Sequence, residues 1–147
     1  MSETWPISGD EGIDVGDSGP TIVVENLRHE DFVRFAGATG DFNPMHYDDT
    51  YARDAGFRSA FGPGMLTASY GARMVSKWFG LGSIDRIKFR FTDKVCPGDT
   101  LTVEGTVDEV DDTPDGMTVR VSFDVRNRRD VVVLEGECDA IVGGSHE

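Results

Sequence analysis

The sequence predicts an α+β fold in which an antiparallel sheet wraps around one long buried helix. Residues 64–79 carry apolar side chains around most of a helical circumference: Met65, Leu66, Ala68, Ala72, Met74, Val75, Trp78 and Phe79, with small residues between them. After Gly82 the pattern changes to a period of two, the mark of strands with one apolar and one polar face. Turn signals at Pro97-Gly98-Asp99 and at 111–116 and 127–130 separate those strands. Strands of this kind bury their apolar faces on the helix and leave their polar faces in water.

Taken in order, residues 1–18 are rich in Gly, Asp, Glu and Ser with little periodicity, so a flexible leader is expected, with 19–147 as a single domain. Thr21-Ile22-Val23-Val24 reads as a short strand. Residues 30–37 place Phe32, Val33, Phe35 and Ala36 at helical spacing, and Gly37 or Gly40 stops that helix. Asp48 or Asp49 is the N-cap of a short helix running to Gly56, and the long helix follows. In the first strand beyond it, Ile87, Phe89 and Phe91 face one way and Arg86, Lys88 and Arg90 the other. Leu101, Val103 and Val107 continue the alternation; Val119, Val121, Phe123 and Val125 repeat it against Arg120, Ser122, Asp124 and Arg126. The last strand sets Leu134, Gly136, Cys138, Ala140 and Val142 against Glu135, Glu137 and Asp139. A chain of 147 residues can bury about two thirds of its unfolded surface in one core.

A net charge of −13 argues against a nucleic-acid partner, since phosphate binding needs a basic surface. No stretch approaches the roughly 18 apolar residues that cross a bilayer, so no membrane insertion is expected. The opening Met-Ser-Glu-Thr-Trp-Pro has neither a basic cap nor an apolar run, which points to the cytoplasm. The acids are mostly Asp and the bases mostly Arg, with Lys only at 77, 88 and 94; a salt-rich cytoplasm and a biased genome both explain this. Cys96 and Cys138 lack metal-like spacing and read as small apolar groups rather than ligands or a disulfide.

The chemistry is concentrated in Gly40-Asp41-Phe42-Asn43-Pro44-Met45-His46. Pro44 has no N–H and pushes its predecessor out of the helical region, so Asp41 and His46 sit on a stiff irregular turn between two helices. A carboxylate and an imidazole held this way can act on one bound water as general acid and base. The second constellation is Ala60-Phe61-Gly62-Pro63-Gly64-Met65-Leu66, a glycine-rich approach to the long helix. The first N–H groups of a helix have no internal partner and lie at its positive end. The N–H of Gly64 is therefore a candidate donor to an oxygen that becomes negative during reaction.

Together the two segments resemble the MaoC-like dehydratase and (R)-specific enoyl-CoA hydratase family. Its motif runs aromatic, small residues, Gly-Asp-x-Asn-Pro-x-His, then a Gly-Met-Leu helix start, and Phe35 to His46 matches it closely. The likeness extends from about Gly16 to Val142. It implies a hot-dog fold, paired as a homodimer or as a heterodimer with a related subunit. It also implies Asp41 and His46 as the catalytic pair, Asn43 as loop support and the Gly64 N–H as the oxyanion donor. The family generally has His where this chain has Pro63. Phe42, Phe57, Phe61, Met65 and Arg86 are candidates for contact with the substrate.

The activity so implied is reversible addition of water to a trans-2-enoyl thioester, giving an (R)-3-hydroxyacyl thioester in fatty-acid or polyhydroxyalkanoate metabolism. It needs no metal or redox cofactor; coenzyme A or an acyl carrier protein's phosphopantetheine carries the acyl group. Arg86, Lys88 and Arg90 are a candidate patch for that carrier, the alternative being a solvated strand face that guards the sheet edge. Two other functions remain open: an acyl-thioester hydrolase of the hot-dog class, and a non-catalytic subunit of a heterodimeric dehydratase.

Overall fold

The computed structural model describes residues 5–7, 12–114 and 116–143. Strand β1 (Ile22–Val24) leads into helix α1 (His29–Thr39), a single 3-10 turn (Pro44–His46), α2 (Asp49–Asp54) and α3 (Gly64–Phe79). Four strands follow: β2 (Ile84–Phe91), β3 (Leu101–Thr113), β4 (Gly116–Arg126) and β5 (Val132–Val142). All neighbours in the β1-β3-β4-β5-β2 sheet are antiparallel. This is the hot-dog arrangement expected from the sequence, with α3 packed in the sheet.

Local chemistry sets the boundaries. Gly40 ends α1 in the left-handed conformation (φ 76°) while its N–H closes on the carbonyl of Ala36 at 2.8 Å. Asp48 begins α2 by accepting the Tyr51 N–H at 3.1 Å. Helix α3 spans the residues its all-round apolar pattern predicts, and Met74, Val75 and Trp78 are buried.

One transverse row explains how closely sheet and helix meet. Gly105, Phe123, Gly136 and Phe89 are register partners across β3, β4, β5 and β2. A Cβ at Gly136 would stand 2.1 Å from the Phe123 ring, and one at Gly71 of α3 would stand 2.3 Å from it. The ring therefore fills space that two glycines vacate, which draws the middle of α3 onto the sheet.

Three expectations need correction. The leader is held rather than loose wherever it is described. Ile13 is buried, Gly16 and Asp17 exchange backbone hydrogen bonds with Val107 at 2.8 and 2.9 Å, and Gly19 donates to Gly105 at 3.1 Å. Trp5 meets Trp78 edge to face. Residues 1–4 and 8–11 of that leader lie outside the described residues. Strand β3 runs on to Thr113, into the expected turn of 111–116, because a register shift between Val107 and Glu109 breaks the alternation without ending the pairing. Phe91 does not share the burial of Ile87 and Phe89; it is 51% exposed at the end of β2, with its ring against Gly64.

Candidate active site

Between α1 and α2 the chain folds back on itself around Asn43. Its Oδ1 accepts the Met45 N–H at 3.1 Å, and its carbonyl accepts the His46 N–H at 3.1 Å. The phenol of Tyr47 donates to the carbonyl of Phe42 at 3.0 Å. Asn43 thus caps the turn that Pro44 stiffens, and it fixes the path from Asp41 to His46. Asp41 is exposed and His46 half-buried.

The imidazole is oriented by a residue fifteen positions away. His46 Nδ1 lies 2.9 Å from the carbonyl oxygen of Phe61. A carbonyl can only accept, so Nδ1 carries the hydrogen and the lone pair of neutral His46 is on Nε2. The Phe61 N–H returns a bond to the carbonyl of Met45 at 3.2 Å, and the two rings meet edge to face with centroids 5.4 Å apart. Two hydrogen bonds and one aromatic contact therefore lock the histidine turn to the approach of α3.

Backbone donors along that approach are consumed in sequence until the helix begins. Ala60 N–H bonds Asp49 Oδ1 at 2.9 Å, Phe61 N–H bonds Met45, and Gly62 N–H bonds the carbonyl of Val95 at 2.7 Å. Pro63 has no N–H, and Leu66 N–H turns back to the carbonyl of Pro63 at 3.0 Å. The N–H groups of Gly64 and Met65 find no acceptor among the described residues, and they form the positive end of a sixteen-residue helix. Pro63 at this position leaves the Gly64 donor in place and caps nothing with its side chain.

Asp49 ties the second side of the loop. Besides Ala60, its Oδ1 meets Nε2 of His29, on the first turn of α1, at 2.9 Å. The His29 hydrogen bond and then the Ala60 N–H hold its carboxyl below the ordinary carboxylate range. Sequence reasoning saw Asp49 only as a cap; its link to His29 joins residues twenty apart and has no local signature.

The candidate substrate contacts separate into three groups. Phe57 and Phe61 lie with ring centroids 5.0 Å apart, tilted by 60°, and with His46 form one aromatic cluster. Phe42 and Met65 are 62% and 57% exposed. Arg86 is on β2, in a crevice with Lys88, Arg120, Glu137 and Asp139 that contains no residue of the 41–64 segment. Arg120 holds Asp139 in a two-pronged pair at 2.8 and 3.3 Å, and Arg90 pairs with Glu135 at 2.8 Å. The strand face that the alternation presented as a basic patch is therefore interleaved with carboxylates from the neighbouring strand.

A different basic surface adjoins the aromatic cluster. A groove of about 550 Å³ runs from Phe57 and Phe61 past Lys94 to Arg128 and Arg129 in the β4–β5 turn, with Arg58 on its rim. Three segments distant in sequence, 56–61, 93–99 and 127–129, build it, so no single window of the sequence signals it.

Comparison with known proteins agrees with this fold. The family model described as MaoC like domain matches residues 16–128. The (R)-specific enoyl-CoA hydratase of Rhodospirillum rubrum is 28% identical over 133 residues, 88% of this chain and 89% of that protein. A mitochondrial 3-hydroxyacyl-[acyl-carrier-protein] dehydratase of Arabidopsis thaliana is 30% identical over 114 residues, 77% of this chain and 69% of its own length. Among solved structures, the unliganded R-hydratase PhaJ1 from Pseudomonas aeruginosa superimposes with a TM-score of 0.83 at 29% identity, covering 98% of this chain and 90% of that one. The chain spans only 9 to 15% of the length of peroxisomal multifunctional proteins that it also matches.

Proposed function

This chain belongs to the MaoC-like domain family, and from that membership we propose that it is a hydro-lyase interconverting trans-2-enoyl and (R)-3-hydroxyacyl thioesters. The observation that carries the reading is the Nδ1–H bond from His46 to Phe61, which leaves Nε2 as a proton acceptor on the same turn as Asp41.

In the hydration direction a water hydrogen-bonded to the Asp41 carboxylate and to His46 Nε2 attacks the β-carbon. Nε2 takes the water proton as the carbon–oxygen bond forms, and the carbon–carbon π electrons move to the α-carbon and the thioester oxygen. The N–H of Gly64 meets that oxygen as it becomes negative. The imidazolium then returns its proton to the α-carbon. One base taking and returning a proton on one face of the double bond gives syn addition, and the Phe61 carbonyl keeps the ring aligned in both steps. One O–H bond and the π bond break while one C–O and one C–H bond form, so water and substrate balance the reaction, and coenzyme A or phosphopantetheine enters as the substrate's carrier.

We take the working unit to be a homodimer. Met65 and Phe91, 57% and 51% exposed, flank the donor end of α3 and would gain from cover by a second chain.

Crotonyl-CoA tests the function. Loss of the enoyl absorbance without free thiol, yielding the (R)-alcohol, is expected, and Asp41→Asn should lower kcat about a hundredfold or more while leaving the fold intact. Thiol release would make the protein a thioester hydrolase. An unchanged rate in Asp41→Asn would remove this site from the chemistry.

A further inference from the structure

We propose that the groove between Phe57, Lys94 and the 127–130 turn binds the phosphorylated nucleotide end of coenzyme A. The proposal rests on the hydratase reading for the acyl end of the same molecule. Its first support is charge. The protein carries −13 with only 14 Lys and Arg residues, yet four of them, Arg58, Lys94, Arg128 and Arg129, line this one groove.

These four also differ from the three paired arginines of the sheet in how little they are neutralised. On the sheet face, Arg90, Arg120 and Arg126 pair with acids on their own or adjacent strands at 2.8 to 3.2 Å. Among the described residues no carboxylate comes within ion-pair distance of Arg58, Lys94 or Arg129, and Arg128 reaches Asp99 only at 3.8 Å. Asp99 is itself buried, with Oδ2 accepting the Cys96 N–H at 2.9 Å. Asp93 Oδ1 accepts the Lys94 N–H at 2.8 Å. Both lining acids are thus engaged by the backbone, while four cationic heads remain for an anion.

The cations are presented on fixed supports. Asn127 Oδ1 accepts the N–H groups of Arg129 and Val131 at 2.9 and 3.1 Å, and the Asp130 N–H returns to the Asn127 carbonyl at 2.9 Å. At the opposite wall the Lys94 ammonium lies over the rings of Phe57 and Phe61, 4.9 and 5.8 Å from their centroids. An ammonium held on aromatic faces keeps its donors for a ligand. The Phe61 ring lines the groove and also meets His46, so one side chain stands between the groove and the catalytic turn.

A small polyanion fits these facts better than an acidic carrier protein. A carrier protein presents a broad negative surface to a chain that is itself strongly negative, and repulsion would act over the whole contact. The phosphates of a nucleotide deliver their charge into the groove alone.

Adenosine 3′,5′-bisphosphate, which has the phosphorylated nucleotide and no acyl arm, tests the groove by calorimetry. The wild type should bind it with an affinity that falls steeply with salt, and Lys94→Gln combined with Arg128→Gln should weaken it about tenfold or more. Lys77→Gln, at the far end of α3, should bind as the wild type does. The double variant should also lose preference for crotonyl-CoA over the crotonyl thioester of N-acetylcysteamine, through KM. Unaltered nucleotide affinity and KM in the double variant would overturn the proposal, as would turnover confined to carrier-protein thioesters. Groove-dependent nucleotide binding by a protein that hydrates no enoyl thioester would uphold the groove and end the hydratase reading instead.

Discussion

Substituting proline for Gly64 deletes one hydrogen-bond donor and leaves its surroundings nearly unchanged. The residue occupies the first helical position of α3, where a missing N–H breaks no helical bond and the fixed proline φ is favourable. Pro63 already has φ −59° and ψ 133°, the extended conformation that a residue before proline adopts. The added Cβ would stand 3.0 to 3.3 Å from three ring atoms of Phe91, whose side chain is 51% exposed and can swing by the few tenths of an ångström required. Gly64→Ala introduces the same Cβ and keeps the N–H. Both variants should unfold within about 1 kcal/mol of the wild type, since the contact is offset by the entropy that removing a glycine saves in the unfolded chain. Their kinetics should diverge. Losing one preformed donor to a developing oxyanion costs about 3 to 4 kcal/mol, a hundredfold to a thousandfold in kcat. Crotonyl-CoA hydration followed by absorbance, with denaturant unfolding in parallel, gives both numbers. Equal turnover by the proline and alanine variants would refute the assignment of the thioester oxygen to this donor.

Asp49→Ala leaves the buried Ala60 N–H without its acceptor and should lower both the thermal midpoint and kcat, whereas Asp49→Asn, which retains an oxygen at that point, should recover most of both. Because His29 and Ala60 depress the Asp49 pKa, the stability it contributes is present above the ordinary carboxylate range and is lost as the pH falls through its lowered value. Urea midpoints of wild type and Asp49→Ala should therefore converge below about pH 4. Gly136→Ala drives a methyl to 2.1 Å from the confined Phe123 ring and should cost about 3 kcal/mol, lowering the melting temperature by roughly 6 to 12 °C; Phe123→Leu in the same chain should restore part of it. Burial pushes the Cys138 thiol up to about 12, so an aromatic disulfide reagent should titrate Cys96 in the native protein and Cys138 only after denaturant is added.

What the sequence disclosed divides by the range of the forces involved. Helix α3 was legible to its boundaries because its apolar residues cover nearly the whole circumference and glycines bracket it. The 41–46 turn was legible because Pro44 and Asn43 act on their own neighbours. The hydrogen bond that orients His46 was not, since its acceptor is a backbone carbonyl and any residue at position 61 would supply one. The setting of Arg86 was hidden for a related reason: alternation along β2 assigns a side chain to a face but says nothing of the acids that β5 places beside it. The attached N-terminal segment was hidden too, as pairing through Gly16, Asp17 and Gly19 uses main-chain groups that composition does not reveal.

That attached segment gives the sheet an asymmetry. Residues 16–19 continue along β3 from where the three-residue β1 leaves off, so this flank is finished in two short broken pieces. The other flank is β2, eight residues long and without a further strand among those described. Growth of sheets into fibrils requires two receptive flanks, one to recruit and one to be recruited. A molecule with a single long one can join a copy of itself across a two-fold axis and then has nothing left to offer, which makes assembly self-terminating.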